Sequence, residues 1–402
     1  MRLFRVSYNN KRGEKSPLLL LYAQVGLIKK ITLSIIFCFL LCFLNSCIET
    51  IDIKNKNIIP YTNIENVDSI ILKGITIDNI DKISFNLFDS THLVVCHLNN
   101  EYYKIEKYSL DSSSVVMGDI IYKEKGRINR IRDFILFKDS LIFLDKNFQL
   151  TKLNFNDSVL TTNYINIDKY SFCSDQFIEQ RLILDNNNIF IKLSPKDIEN
   201  NNKPYNTHLI GEYSLNQQKL ILTFGNWPKK QIDLFNENKY FPVFSEPSFV
   251  IDNKKCYISF GFDPFVYTYT NYSNNVYEKK IIKSAFINES NNGVDFDADY
   301  QEVANYLITT GFYLKLLKDP YKNLYYRIVK HPQNLKNENG LLNGRFDGSW
   351  SIIVLDSVLN TKYEILMPKN RYNYLFSFVS KRGLFIQVAD DRNLKFEILN
   401  LN

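Results

Sequence analysis

From about residue 66 onward, apolar and polar positions alternate with a period of two. Tyr, Phe, Ile, Val and Leu exchange with Lys, Asn, Ser and Thr, and Asn/Asp/Ser/Gly clusters separate the runs. Such alternation predicts half-buried strands joined by turns, and so an all-β domain. Aligned in pairs, the strands form a degenerate repeat: an apolar strand, a loop, then a second strand that in most copies ends in an Asn/Asp/Ser turn. The pairs are 92–98 with 102–110, 140–144 with 148–155, and 188–193 with 208–215. They continue as 255–262 with 265–272, 324–330 with 350–355, and 383–388 with 393–400. The six copies begin 48, 48, 67, 69 and 59 residues apart. Four-stranded propeller blades run ~40–50 residues before insertions. The pattern therefore predicts a six-bladed β-propeller over residues 66–402, with a pair of β-sandwiches as the structural alternative. The last copy leaves no room for an outer strand, and 68–76 (DSIILKGIT) is placed to supply it. Closure of this kind removes the sheet edges that an open array exposes.

One segment departs from the alternation. Residues 299 to about 317 (DYQEVANYLITTGFYLKLL) carry Val303, Leu307 and Ile308 at helical spacing. Asp299 with Glu302 three positions on makes a capping-box-like start, and Asp319-Pro320 a stop. A single inserted helix is expected there, on a rim or face of the propeller.

The front of the chain reads differently. Lys29 and Lys30 precede an apolar run from Ile31 to Leu44, and Asn45-Ser46-Cys47 follows. A positive n-region, a short apolar stretch and small residues at a cut site make a secretory signal. The run of 14 residues is short of the ~18–20 that a membrane span requires. The expected organisation is leader and lipoprotein signal peptide over 1–46, a polar tether over 47–65, and then the propeller. Met1–Ile28 is an unusual preamble, and a later start at Val25 or Leu27 is expected. Residues 1–46 hold seven Lys/Arg and one acid, so the net charge of +6 belongs to the leader and the remainder carries 42 of each sign. A neutral domain has no global field for nucleic acid. Beyond the leader, Cys96, Cys173 and Cys256 are odd in number and lack metal spacing, which fits buried thiols.

Positive signals for chemistry are few. Asp295, Asp297 and Asp299 have the opening spacing of a calcium loop, but Tyr300 and Tyr306 stand where Gly and Glu are needed. His92, His97, His208 and His331 form no recognisable ligand set. The sequence has no HExxH, GxSxG, CxxC or phosphate-cradling glycine loop. No metal and no cofactor is expected. The long loops at 194–207 and 331–349 lie between second and third strands, on the face shared with the interblade connections. That face also takes the inserted helix and Gly225-Asn226-Trp227-Pro228. Binding residues concentrate on such loops, and Tyr205, Trp227, His331 and Arg345 are the candidate ligand contacts. Asp-Ser followed by an apolar residue or Thr occurs at Ser69, Ser90, Ser140, Ser158 and Ser357. The pair favours turns before strands; it is also similar to a serine O-glycosylation sequon of Gram-negative envelope proteins.

The cysteine at the cut site resembles a lipobox, which implies a diacylglycerol on Cys47. With Phe224-Gly225-Asn226-Trp227-Pro228, Tyr240-Phe241-Pro242, 319–327 (DPYKNLYYR) and Gly383-Leu384-Phe385, the chain resembles an uncharacterised family of lipoproteins of Gram-negative, Bacteroides-type envelopes. The resemblance implies a six-bladed propeller and a membrane-anchored envelope address, with the outer membrane expected; it implies no activity. Two function classes follow. The favoured one is a lipid-tethered, non-enzymatic module that binds a protein or glycan. The alternative is a hydrolase or lyase acting on a glycan or ester in the propeller channel. The expected partners are the membrane, through the lipid on Cys47, and a protein or glycan; no nucleic acid is expected.

Overall fold

Each of the six aligned strand pairs forms an antiparallel, hydrogen-bonded pair at the centre of a larger sheet. The structure is a computed structural model. It describes residues 57–401 apart from 65–66, 73–82, 88–89, 99–102, 113–114, 123–130, 139, 146–148, 155–159, 166–169, 172–181, 196–206, 243–246, 288–290, 345–346 and 390–393. The leader, Cys47, Tyr205, Arg345, Ser158 and Cys173 lie outside the described residues, as does most of the expected tether. Among the described residues no helix is long and apolar enough to cross a membrane.

In chain order the large sheets span 83–122 (sheet 1), 131–164 (sheet 2), 182–224 (sheet 3), 248–281 (sheet 4), 312–367 (sheet 5) and 372–399 (sheet 6). Within each, consecutive strands are neighbours, so every sheet is a meander. Innermost strands of successive sheets are in contact from 83–87 through to 372–380. The arrangement is that of a β-propeller. Its core is a set of intersheet seams, because each sheet has two apolar faces to bury. Ile142 and Leu144 of sheet 2 pack with Ile189 and Ile191 of sheet 3. Phe190 and Phe224 of sheet 3 pack with Ile258 and Tyr269 of sheet 4. The fourth, fifth and sixth sheets are joined in the same way, and Phe378 and Phe385 of sheet 6 meet Leu93 and Val95 of sheet 1.

The expectation of six four-stranded blades is corrected: among the described residues five sheets are four-stranded blades, and sheet 5 has five strands. The additional strand, Ile58–Pro60, pairs in parallel with Glu364–Leu366 on the outer edge of sheet 5. These residues were expected in a free tether. Their alternative is an unpaired sheet edge, and pairing satisfies both. A 3-10 turn, Tyr61–Asn63, follows, and Val67–Leu72 then pairs with 394–399 as the outer strand of sheet 6. Tyr61 fixes the crossing: its hydroxyl donates to Glu397 Oε2 at 2.7 Å, and Arg371 holds Glu397 Oε1 at 2.6 Å.

Two α-helices occur among the described residues, where one was expected. Helix α1 (Lys229–Asn236) follows Pro228, whose fixed φ suits a helix entrance. Helix α2 (Tyr300–Thr309) begins as expected, with Asp299 accepting from the Glu302 N–H at 2.8 Å. It does not reach 317: Phe312–Asp319 is the innermost strand of sheet 5, buried over most of its length. A run of apolar residues buried on both faces has no period that separates strand from helix. Gly311 marks the change, since a Cβ there would sit 2.9 Å from Ile287 and 3.0 Å from Pro332.

Candidate functional site

Trp227 and His331, both expected on open loops, are buried in different parts of the molecule. Trp227 lies in the apolar seam between sheets 3 and 4. The turn before it needs glycine, because Gly225 has φ +89°. Gly225 N donates to Asn275 Oδ1 (2.9 Å), and Asn226 N to the Tyr269 hydroxyl (2.9 Å), so this turn clasps sheet 4.

His331 is 4% exposed. Its Nε2 is 2.8 Å from Ser351 Oγ, which donates to Glu364 Oε1 at 2.5 Å. Ser284 donates to the same oxygen at 2.6 Å, and the ring stacks on Phe286. Burial, reinforced by neighbouring Lys330, pulls the imidazole down to about 3. The composition is that of a hydrolytic triad, but the connectivity is not. The carboxylate holds two hydroxyls rather than orienting the imidazole, and the cluster is closed to solvent. Its role is to pin the 282–287 connector to sheet 5.

Of the five candidate serines, Ser69 and Ser357 are exposed and Ser90 is half-buried. Ser140 is 3% exposed within sheet 2, so its hydroxyl has no room for a glycan and that candidate is corrected. The Asp of the motif shapes turns: Asp356 accepts from the N–H groups of Val358 (3.0 Å) and Asn360 (2.7 Å). Cys256 is a free, buried thiol, raised well above its ordinary value by burial. Among the described residues no group of three or more His, Cys, Asp or Glu is placed to hold a metal ion.

Polar side chains on the innermost strands bridge to the next sheet. Asp133 accepts from Leu182 N at 2.9 Å, Ser248 from Leu316 N at 3.0 Å, and Lys315 donates to Ser377 O at 2.7 Å.

The open chemistry lies elsewhere, in a cavity of about 580 Å³ beside sheet 4. One wall is the loop between its second and third strands, Gly261 to Pro264; the other comes from connectors carrying Lys229, Asn291 and Gly311. Phe262, Phe265, Tyr267, Tyr277 and Tyr313 give it aromatic sides, and Lys230 and Lys279 add charge. The volume is in the range of small-ligand pockets.

What holds this loop open is Arg327, fully buried on the second strand of sheet 5. Its Nε donates to Ser259 Oγ (3.1 Å), and Nη1 donates to the carbonyls of Pro264 and Ile282 (2.8 Å each). Nη2 donates to the carbonyls of Asp263 (2.7 Å) and Phe265 (3.4 Å). Its face lies 3.8 Å from the centre of the Tyr313 ring. All five guanidinium N–H groups are thus used, which only arginine can do. Burial pulls its value down to about 10, leaving it charged at neutral pH. Asp263 completes the loop from within, accepting from Phe265 N (3.0 Å) and the Tyr267 hydroxyl (2.6 Å). Sequence reading missed this site. The available signal was the arginine inside the apolar run LYYRIVK, a cation where an ordinary core strand has none.

No protein-family model and no curated protein matches the sequence. The chain is similar to solved structures. One is a member of the DUF4221 family from Bacteroides vulgatus, with TM-score 0.61 and 14% identity, covering 83% of this chain and 96% of that one. Another is a candidate exported protein from Bacteroides fragilis, with TM-score 0.49 and 11% identity, covering 86% and 99%. At 14% identity the likeness to the DUF4221 member is one of fold alone.

Proposed function

We propose that this protein is a lipid-anchored envelope propeller that binds a glycan without transforming it, and that the cavity under the 261–264 loop is the seat. The five-stranded sheet counts as the sixth blade, with its edge strand supplied by the chain leading from Cys47. The observation that carries the reading is the loop itself. Three long-range hydrogen bonds from one buried guanidinium, to the carbonyls of residues 263 to 265, hold this turn from the next sheet. Such preorganisation stabilises a binding surface before the ligand arrives. The aromatic sides and the volume suit one to three sugar rings. The engagement of Asp133, Ser248 and Lys315 with neighbouring strands favours binding over chemistry in the channel. Ser69, Ser90, Ser158 and Ser357 remain the serines at which a glycan would be carried.

The test is an oligosaccharide array probed with the full chain in non-ionic detergent, wild type against Tyr277→Ala. Retention of a saccharide by the wild type and its loss from the variant is expected. Equal retention by both would remove the cavity from the reading. Fatty-acid labelling that disappears in Cys47→Ala tests the anchor.

A further inference from the structure

We infer that the ligand of this cavity is an acidic saccharide, its ring stacked on the aromatic wall and its carboxylate at the Lys279 side. The inference rests on the proposed glycan-binding role and specifies its chemistry.

Two observations carry it. First, the charge of the lining is unbalanced. Lys229, Lys230 and Lys279 contribute cations, while among the described residues Asp263 is the sole acid of the lining, and both of its oxygens are already engaged by Phe265 N and the Tyr267 hydroxyl. Lys229 shares its charge with Asp233 at 2.7 Å, whereas among the described residues Lys279 forms no ion pair. Second, Lys279 is held over an aromatic ring: its Nζ stands 4.6 Å from the centre of Phe265. A ring under an ammonium fixes the cation without neutralising it. An ammonium is a donor for a carboxylate. Flat aromatic faces such as Phe265 and Tyr277 take the C–H face of a sugar ring.

The experiment is calorimetric titration of the full chain in non-ionic detergent with trigalacturonate and with its neutral methyl ester. The acid is expected to bind about tenfold tighter than the ester, with the advantage shrinking at high salt. Lys279→Gln is expected to weaken the acid about fivefold and leave the ester unchanged. Equal affinity for acid and ester would overturn the acidic specificity while leaving a glycan seat in place. Binding of neither probe would overturn the inference, and the array with Tyr277→Ala then decides the glycan-binding role separately.

Discussion

Two Asp-Pro-aromatic turns in this chain use the same local chemistry and end differently. At Asp319-Pro320-Tyr321 the carboxylate accepts from Tyr321 N (2.9 Å) and Lys322 N (3.0 Å), and from the Tyr326 hydroxyl (2.7 Å). The turn closes a hairpin within sheet 5 and satisfies itself. At Asp263-Pro264-Phe265 the carboxylate again takes a backbone N–H and a tyrosine hydroxyl, but three successive carbonyls, those of residues 263 to 265, turn to Arg327. One turn is complete from its own neighbourhood; the other is completed from the next sheet. The difference shows where a scaffold spends long-range contacts: on the loop that borders a cavity.

The strongest way to break that comparison is Arg327→Met. Removing the charged donor that those carbonyls and Ile282 O share should cost about 3–5 kcal/mol, read as a fall in the denaturation midpoint. Arg327→Lys should recover only part, because a point charge cannot span the fork. Asp263→Ala and Asp319→Ala should each cost about 2–3 kcal/mol, yet only the former should impair saccharide binding. An equal binding loss in both would erase the distinction between the turns.

Acidity offers a smaller effect. His331 titrates near 3 in the folded chain against 6.5 in the unfolded one, so only the unfolded state takes up a proton between those values. Its contribution to stability is complete above 6.5 and is lost as pH falls toward 3. Denaturation curves of His331→Asn should be flatter than wild type across that window. Lys330, pulled down to about 7 by burial, gives a rise in stability from there toward 10.5 by the same linkage. Smallest is Tyr61→Phe, which should cost about 1 kcal/mol by removing one hydroxyl from Glu397.

The strand pairs and the closing strand were legible because a period of two and turn residues are local signals. Residues 312–319 were not, since FYLKLL buried on both faces fits either period. Trp227 and His331 look exposed in sequence because Asn and Pro surround them, and only packing shows that both are interior. The cavity was hidden for another reason. Arg327 lies 62 to 64 residues after the loop carbonyls it holds, beyond several strands and a helix-bearing connector, and no spacing rule joins them.

The pairing of Val67 with Leu399 and of Ile58 with Glu364 also governs when this molecule can mature. Its earliest strands have no partners until the last ones emerge, so the ring cannot lock during synthesis. Such long-range registry slows folding and leaves early segments adhesive. Closure therefore waits until the whole chain is available to pair its two ends.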